Sequence, residues 1–161
     1  MKSTEFITEV FSANSLSKNR YPLEWSGGNS GTIISAKTKT DLGNSIKMEF
    51  YSIYDLNYYI VEFTVNDSYN IRGTNERDVI PIFNTIIYGI FRFILKYKPN
   101  YLIFSAREKS RLALYTRLVD MFALPLGYEV GSTDELPEEL QQYLKGHGQS
   151  FVLRRKNRID T

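Results

Sequence analysis

A glycine-bearing turn in the middle of the chain has the residue types and the position of an anion-binding site. A helical pattern starts just after this turn, and successive main-chain N–H groups at a helix start present partial positive charge to a phosphate or pyrophosphate. The glycine would allow a phosphate to approach the main chain closely, and the arginine adds charge. The alternative interpretation is an ordinary turn without a ligand. The residues of the turn are Asn70, Ile71, Arg72, Gly73, Thr74 and Asn75.

Two further positions carry side chains that could move protons. Tyr115 lies in a second helical pattern, and a phenol with a pKa of roughly 10 can donate a proton. Glu62 lies on a strand pattern beside the turn and is the first candidate for a general base, with Glu49 on the neighbouring strand as the second. The alternatives are a core aromatic for Tyr115 and surface carboxylates for both glutamates. His147, the only histidine, lies between glycines and is expected to be exposed to solvent.

Composition narrows the classes of function. The chain has 161 residues, which predicts one domain. It contains no cysteine, which excludes disulfides, thiolate metal ligands and cysteine nucleophiles. No group of His, Asp and Glu has the spacing of a metal site, so we expect no metal. A net charge of +2 is too small to indicate nucleic acid by itself. We expect a cytoplasmic protein, because the N-terminus lacks an apolar signal core and polar residues interrupt the apolar stretch 79–95.

The elements that must position these residues follow an α/β order. Strand patterns at 32–38, 46–54 and 58–65 predict an antiparallel meander. Residues 78–98 predict a long, largely buried helix. We expect Asp78 to cap this helix and its polar members to recur on one face. The apolar run 101–105 is typical of a central strand, and a strand–helix–strand order predicts that 58–65 and 101–105 pair in parallel. The polar members of the helix are Thr85, Tyr88, Arg92 and Lys96.

The rest of the chain completes one predicted domain over residues 1–161, with its core at 46–130. A short helix is predicted at 4–11, a second main helix at 109–123, and closing strands at 129–130 and 150–154. The acidic segment 134–139 predicts a solvated loop or a short helix. Residues 154–161 predict a basic tail. No repeat or long linker divides the chain.

Four local patterns resemble the GNAT family of acyl-CoA-dependent N-acyltransferases. The spacing Asn70-x-x-Gly73-x-Asn75 resembles the turn with which that family binds its cofactor. The family normally has Gln or Arg at the first position and Gly or Ala at the last, so both asparagines depart from it. The resemblance covers about residues 46–130, and similar short chains look like bacteriophage-encoded GNAT-like proteins. The other three patterns are Phe63-Thr64-Val65, the strand 101–105, and the helix ending in Leu114-Tyr115 followed by Leu126-Gly127-Tyr128.

The resemblance implies both a fold and an activity. The fold is α/β (α+β), with a mixed central sheet, an antiparallel N-terminal meander, two main helices and a parallel β-α-β core. The activity is transfer of an acetyl group from acetyl-CoA to an unidentified small-molecule or protein amine. In it, acetyl-CoA lies along the turn 70–75 and Tyr115 protonates the departing thiolate. The protein would act in the cytoplasm, which is the host cytoplasm if the chain is phage-encoded.

A second class of function stays open, in which the fold is retained without catalysis as a module that binds a host protein or nucleic acid. The basic run 154–158 could contact phosphates, and the tyrosines near the predicted hairpin could stack bases. The ordinary interpretations are a solvated tail and cross-strand aromatic pairs. We expect no membrane partner. The tyrosines are Tyr51, Tyr54, Tyr58 and Tyr59.

Overall fold

A single mixed sheet carries the fold. The structure, a computed structural model, describes residues 20–27, 33–53, 57–68, 76–106, 115–116, 125–146 and 149–156. Within them the strands are β1 (Glu24–Gly27), β2 (Ile33–Lys39), β3 (Ser45–Ile53), β4 (Tyr58–Val65), β5 (Tyr101–Ala106), β6 (Tyr128–Val130) and β7 (Gln149–Arg155). The helices are α1 (Glu76–Tyr97), a 3-10 helix (Thr133–Glu135) and α2 (Glu138–Lys145), and Tyr115 and Thr116 are also helical.

The strand order confirms the predicted α/β fold with a parallel pair at its centre. The described strands lie in the order β1-β2-β3-β4-β5-β7-β6. β1 to β4 form an antiparallel meander, and β4 and β5 pair in parallel across the α1 crossover. β7 then pairs antiparallel with both β5 and β6. The predicted strand 58–65 has the observed bounds, whereas no strand was predicted at the position of β1.

The larger part of the core lies between α1 and one face of the sheet. Val61, Phe63 and Val65 alternate along β4 toward this face, as the period-2 pattern predicts. The ring of Phe93 on α1 stacks on Phe50 of β3, with centroids 4.0 Å apart. Burying each such side chain contributes about 1.5–3 kcal/mol. Gly89 brings α1 close to β3, because a Cβ there would lie 2.6 Å from the sulfur of Met48.

A smaller cluster covers the opposite face. Ile60, Ile103 and Val152 come from β4, β5 and β7, and Leu140 and Leu144 of α2 pack on them. The acidic segment 134–139 spans the end of the 3-10 helix and the start of α2, as the short-helix alternative predicts. The acidic residues of α2 lie in its first turn, where their negative charge interacts favourably with the positive end of the helix dipole.

Two expectations for α1 were wrong in detail. α1 begins at Glu76, so Asp78 lies in the first turn and is not the residue before the helix. Thr85 was expected on the polar face but is fully buried. Its hydroxyl donates to the carbonyl of Pro81 at 2.7 Å and accepts the main-chain N–H of Tyr21 at 2.9 Å. A buried hydroxyl with both partners carries little penalty, and sequence periodicity cannot show the distant partner Tyr21.

α1 is also the one described helix that is long and apolar enough to cross a membrane by length and composition. More than half of its segment Ile80–Tyr97, 56%, is buried inside the protein. Its apolar residues pack on the sheet, and Arg92 and Lys96 are exposed on the outer side. This burial is what the core helix of a globular domain shows.

The turn from α1 to β5 holds a strained residue between several hydrogen bonds. Lys98 has a φ of 45°, in the left-handed region, and its N–H donates to the carbonyl of Ile94. The Lys98 carbonyl accepts from Asn57 Nδ2 at 2.8 Å and from Arg155 Nη1 at 2.9 Å. The hydroxyl of Tyr128 donates to the carbonyl of Pro99 at 2.5 Å. These bonds fix the start of β5 relative to β4, β6 and β7.

Several predicted elements lie outside the described residues. They are the helix 4–11, all of the helix 109–123 except residues 115–116, the turn 70–75, and the tail from residue 157 onward. Where the tail was expected to begin, β7 instead continues to Arg155. Arg154 and Arg155 are therefore strand residues.

Candidate functional site

The parallel strands β4 and β5 stay paired over only part of their length. Their residue pairs run from Tyr58 with Tyr101 to Val61 with Phe104. β4 continues to Val65, while β5 continues to Ala106 in pairing with β7. We call residues 62–64 of β4, which lie beyond the last described pair with β5, the divergence. Parallel strands that separate at their carboxyl ends provide a place for a ligand to enter a sheet.

The far end of β4 is closed by its own chain. Val65 and Ser68 exchange two main-chain hydrogen bonds, of 2.9 Å and 3.1 Å. The intervening Asn66 and Asp67 have φ values of 54° and 61°, which is the geometry of a type I′ turn. Asn66 is held in place by the main-chain N–H of Ser45, which donates to Asn66 Oδ1 at 2.8 Å. The divergence is thus bounded by the Val61 pair on one side and by this turn on the other.

Glu62 is the first residue of the divergence. Its side chain is half-buried and makes no hydrogen bond or ion pair with any described residue. Glu49 lies directly opposite it on β3, and Glu49 is paired with Lys47 at 3.3 Å. Like charges at facing positions of two antiparallel strands destabilise the pair. The two facing carboxylates therefore lower the stability of this part of the sheet.

Tyr115 is fully buried against the other face of the sheet. Its ring lies 4.7 Å from that of Phe104, 6.4 Å from that of Phe63 and 6.3 Å from that of Phe151, measured between centroids. These contacts give Tyr115 a packing role in the core. They also place its ring beside Phe104, the residue of β5 at which pairing with β4 ends. Its role as an acid stays a prediction.

The predicted acid and base therefore lie on opposite faces of one sheet. Phe63, which contacts Tyr115, points to the α1 face, and Glu62, its neighbour in sequence, points to the other.

A network of charged residues lies on the α2 face, away from the divergence. Arg154 pairs with Glu129 at 2.9 Å and also with Glu135, which accepts a hydrogen bond from the hydroxyl of Tyr101 at 3.0 Å. Burial acts to raise the pKa of Glu135, but the hydrogen bonds from Arg154, Tyr101 and the Ser132 main chain outweigh it and lower that pKa. Arg154 is consequently occupied within the fold, which removes the first residue of the basic run as a free phosphate contact.

The tyrosines proposed as a base-stacking group are divided between the two faces. The ring of Tyr58 packs against that of Tyr101 on the α2 face, with centroids 4.6 Å apart and ring planes tilted by 55°. Tyr59 meets Phe93 edge to face at 4.9 Å, on the α1 face. Tyr51 packs with the α2-side cluster, and Tyr54 lies outside the described residues. The described members therefore form packing contacts and no common platform.

The turn proposed for the cofactor, Asn70 to Asn75, and His147 lie outside the described residues, so their roles stay predictions. In the described part of the chain, no three His, Asp or Glu side chains are grouped so that they could hold a metal.

Sequence reasoning missed a cavity of about 510 Å³ between β1 and the C-terminal half of α1. Trp25, Arg92 and Lys96 line it. The signal in the sequence was the pair of cations one helical turn apart on α1. The sequence could not show that Trp25 lies at the same cavity, because its strand β1 forms only by pairing with β2 in the folded protein.

Comparisons with known proteins were made at the level of sequence and of structure. No family model matches the sequence, and no curated protein matches it. A mutant of spermidine N-acetyltransferase SpeG from Vibrio cholerae is similar in structure, with a TM-score of 0.43 and 8% identity over 96% of this chain and 91% of that chain. N-acetylglutamate synthase from Neisseria gonorrhoeae, complexed with coenzyme A and N-acetyl-glutamate, has a TM-score of 0.44 and 10% identity. The match covers 100% of this chain but 34% of that one. At these values the ligands and reactions of the two enzymes do not transfer to this chain.

Proposed function

We propose that the protein is a GNAT-like N-acyltransferase that moves an acetyl group from acetyl-CoA to an amine in the cytoplasm. The observation that carries the proposal is the half-buried carboxylate of Glu62 at the point where β4 and β5 separate. A carboxylate in that position lacks a structural partner among the described residues, which supports a role in binding or proton transfer.

In the proposed reaction the amine nitrogen attacks the thioester carbonyl carbon. A C–N bond forms, the C–S bond breaks, and the thiolate leaves. Glu62 accepts the proton of the amine, and the Tyr115 hydroxyl gives a proton to the thiolate. Because the two side chains lie on opposite faces of β4, the reacting carbon would have to lie within the divergence.

The turn 70–75 is the proposed binding segment for acetyl-CoA, which supplies the activated acetyl group. The described structure on both sides of the turn fits this role. Val65 and Ser68 fix the end of β4, and α1 begins at Glu76, so the turn leads from a fixed strand end into a helix N-terminus. The first main-chain N–H groups of such a helix have no partner within the helix and can donate to phosphate oxygens. The acidic Glu76 and Asp78 in the first turn of α1 work against this binding.

A second candidate function is a GNAT-like fold without catalysis, acting as a protein- or nucleic-acid-binding module, for example a phage protein that engages a host protein. The observation that favours it is the complete burial of Tyr115 among three phenylalanine rings. A buried phenol with a packing role needs no cleft. The two functions differ in whether a thiol is released from acetyl-CoA.

Thiol release tests the proposal with a low background, because the chain contains no cysteine of its own. Acetyl-CoA is incubated with the full chain and a mixture of polyamines, amino acids and lysine peptides, and free thiol is followed by its reaction with a chromogenic disulfide. We expect thiol and acetylated amine, measured by mass spectrometry, to appear in equal amounts. Binding of acetyl-CoA without thiol release would favour the binding module.

A further inference from the structure

The cavity between β1 and α1 combines aromatic walls with positive charge. Its volume of about 510 Å³ lies within the usual range for small-molecule sites, about 300–1,000 Å³. Among the described residues, its lining includes Trp25 from β1, Phe93 and Tyr97 from the inner side of α1, and Arg92 and Lys96 from the outer side. No described lining residue is acidic.

The aromatic wall is a continuous row of rings from the core to the rim. Phe93 is 1% exposed and lies 4.7 Å from the ring of Tyr97. On its other side Phe93 stacks on Phe50 at 4.0 Å, and Phe50 stacks on Trp25 at 6.0 Å with an angle of 22° between the ring planes. Trp25 is 38% exposed. The indole is therefore oriented by the rings behind it and leaves a flat apolar surface at the cavity.

The two cations are available to a ligand. Arg92 and Lys96 are exposed and one helical turn apart on α1, so they project from the same side. Neither forms an ion pair with an acidic residue in the part of the chain that the structure describes. Lys96 Nζ lies 5.3 Å from the centroid of the Tyr97 ring, which keeps its charge next to the aromatic wall.

The cavity is far from the segment proposed for acetyl-CoA. The turn 70–75 directly precedes Glu76, and α1 rises about 24 Å from Glu76 to Arg92 at about 1.5 Å per residue. The cavity therefore lies at the opposite end of α1, and its ligand would be separate from the acyl donor.

We propose that this cavity binds a flat aromatic molecule carrying one carboxylate or phosphate group. The aromatic part stacks on Trp25 and Tyr97, and the anionic group pairs with Arg92 and Lys96. A second copy of the chain is the less suitable occupant. A two-fold contact through this surface would bring the same cations of both copies together without an acidic residue of the described lining to offset them.

The test uses calorimetric titration of the full chain with three compounds that share one ring system: naphthoate, naphthyl phosphate and neutral naphthol. The test variant is the double substitution Arg92→Gln with Lys96→Gln. Its matched control is Lys145→Gln, which removes an exposed cation from the end of α2. Both changes are on exposed helix positions, and thermal unfolding checks that each variant folds.

We expect at least one of the two anions to bind the wild type. The affinity for naphthol should be at least about tenfold lower, because naphthol cannot form the charge-assisted pair. The double variant should lose about tenfold in affinity for the anion, and Lys145→Gln should match the wild type. Comparison of naphthoate with naphthyl phosphate identifies the anionic group.

Four results would overturn the proposal. They are equal binding of naphthol, an equal loss in Lys145→Gln, no binding of either anion at millimolar concentration, and displacement of the bound anion by acetyl-CoA. Self-association that depends on Trp25 in the absence of anion binding would show instead that a second copy covers the cavity. Acyl-transfer activity is not measured, so the outcome is independent of the proposed function.

Discussion

Val61 on β4 and Phe104 on β5 form the last residue pair that the structure describes between the two parallel strands. Each of these residues is next to a group with proposed chemistry. Glu62 follows Val61 in sequence, and the ring of Tyr115 lies 4.7 Å from that of Phe104. The end of this pairing is therefore next to both residues that are proposed to move protons.

Tyr115→Phe separates the two proposed functions. The substitution keeps the ring contacts with Phe104 and Phe63 and removes the hydroxyl. If the phenol protonates the leaving thiolate, kcat should fall by roughly 10- to 1,000-fold, because the general acid is lost. The melting temperature should stay close to that of the wild type. Steady-state thiol release measures this change. Unchanged turnover in an active preparation would leave Tyr115 with a packing role only.

Glu62→Gln should lower activity without lowering stability. The change removes the proposed base and also one of two like charges that face each other across β3 and β4. We therefore expect kcat/KM for acetyl transfer to fall by about 100-fold or more, and the free energy of unfolding to rise by a few tenths of a kcal/mol, as is usual for such pairs.

Glu49→Gln is the matched control for Glu62→Gln. It relieves the same repulsion, but it also breaks the pair with Lys47, an exposed bond of small value. Its kcat/KM should stay within about threefold of the wild type. If both variants lose activity equally, the two carboxylates act together and the assignment of the base to Glu62 alone is wrong.

Much of the fold could be predicted from the sequence because its signals are local. The alternation of Val61, Phe63 and Val65 shows the buried face of β4, and the apolar run 101–105 predicts the strand β5, whose residues 101–104 are buried on both faces. A strand, a long helix and another strand then require a parallel pair. These patterns depend on neighbours in sequence, so the sequence alone is enough to predict these elements.

The features that were missed depend on partners distant in sequence. The buried hydroxyl of Thr85 accepts a hydrogen bond from the main-chain N–H of Tyr21. Arg154 belongs to β7 and not to the basic tail, and it pairs there with Glu129 and Glu135. The edge strand β1 exists only through its pairing with β2. The point at which β4 and β5 stop pairing, after Val61 and Phe104, is likewise a property of the assembled sheet.

Lys98→Gly should stabilise the protein. Lys98 has a φ of 45°, a conformation that costs a residue with a side chain about 1 kcal/mol and costs glycine almost nothing. The bonds to its carbonyl from Asn57 and Arg155 involve only the main chain of Lys98 and are retained. Relief of this strain should raise the free energy of unfolding in urea by about 0.5–1 kcal/mol. The greater conformational entropy of glycine in the unfolded chain offsets part of that gain.

The control for Lys98→Gly is Lys96→Gly, two residues earlier and inside α1. Glycine in a helix interior should lower the free energy of unfolding by about 1 kcal/mol. Equal destabilisation by both changes would contradict the left-handed conformation at Lys98.

The network of Arg154 should make stability depend on acidic pH. The pKa of Glu135 is lowered in the folded protein from its ordinary value of 4.5. Its contribution is therefore fully present above the ordinary pKa and is lost as pH falls through the lowered one. Arg154→Gln removes the strongest of the bonds that cause the shift, so the melting temperature of the variant should fall less between about pH 6 and about pH 3 than that of the wild type.

The control for this pH dependence is Lys156→Gln, which removes an exposed cation just after β7. It changes the net charge by the same amount as Arg154→Gln. An identical loss of pH dependence in both variants would mean that overall charge, and not the bonds to Glu135, sets the acid sensitivity.

The central claim, that this chain uses acetyl-CoA, is tested most directly by calorimetric titration of the full chain with acetyl-CoA. Gly73→Asp is the test variant, because it adds bulk and negative charge to the proposed phosphate-binding turn, and Lys145→Gln is the control. The account predicts saturable binding with one site per chain, about tenfold or more weaker in Gly73→Asp and unchanged in Lys145→Gln. No detectable heat at millimolar acetyl-CoA, or equal binding by wild type and Gly73→Asp, would contradict it.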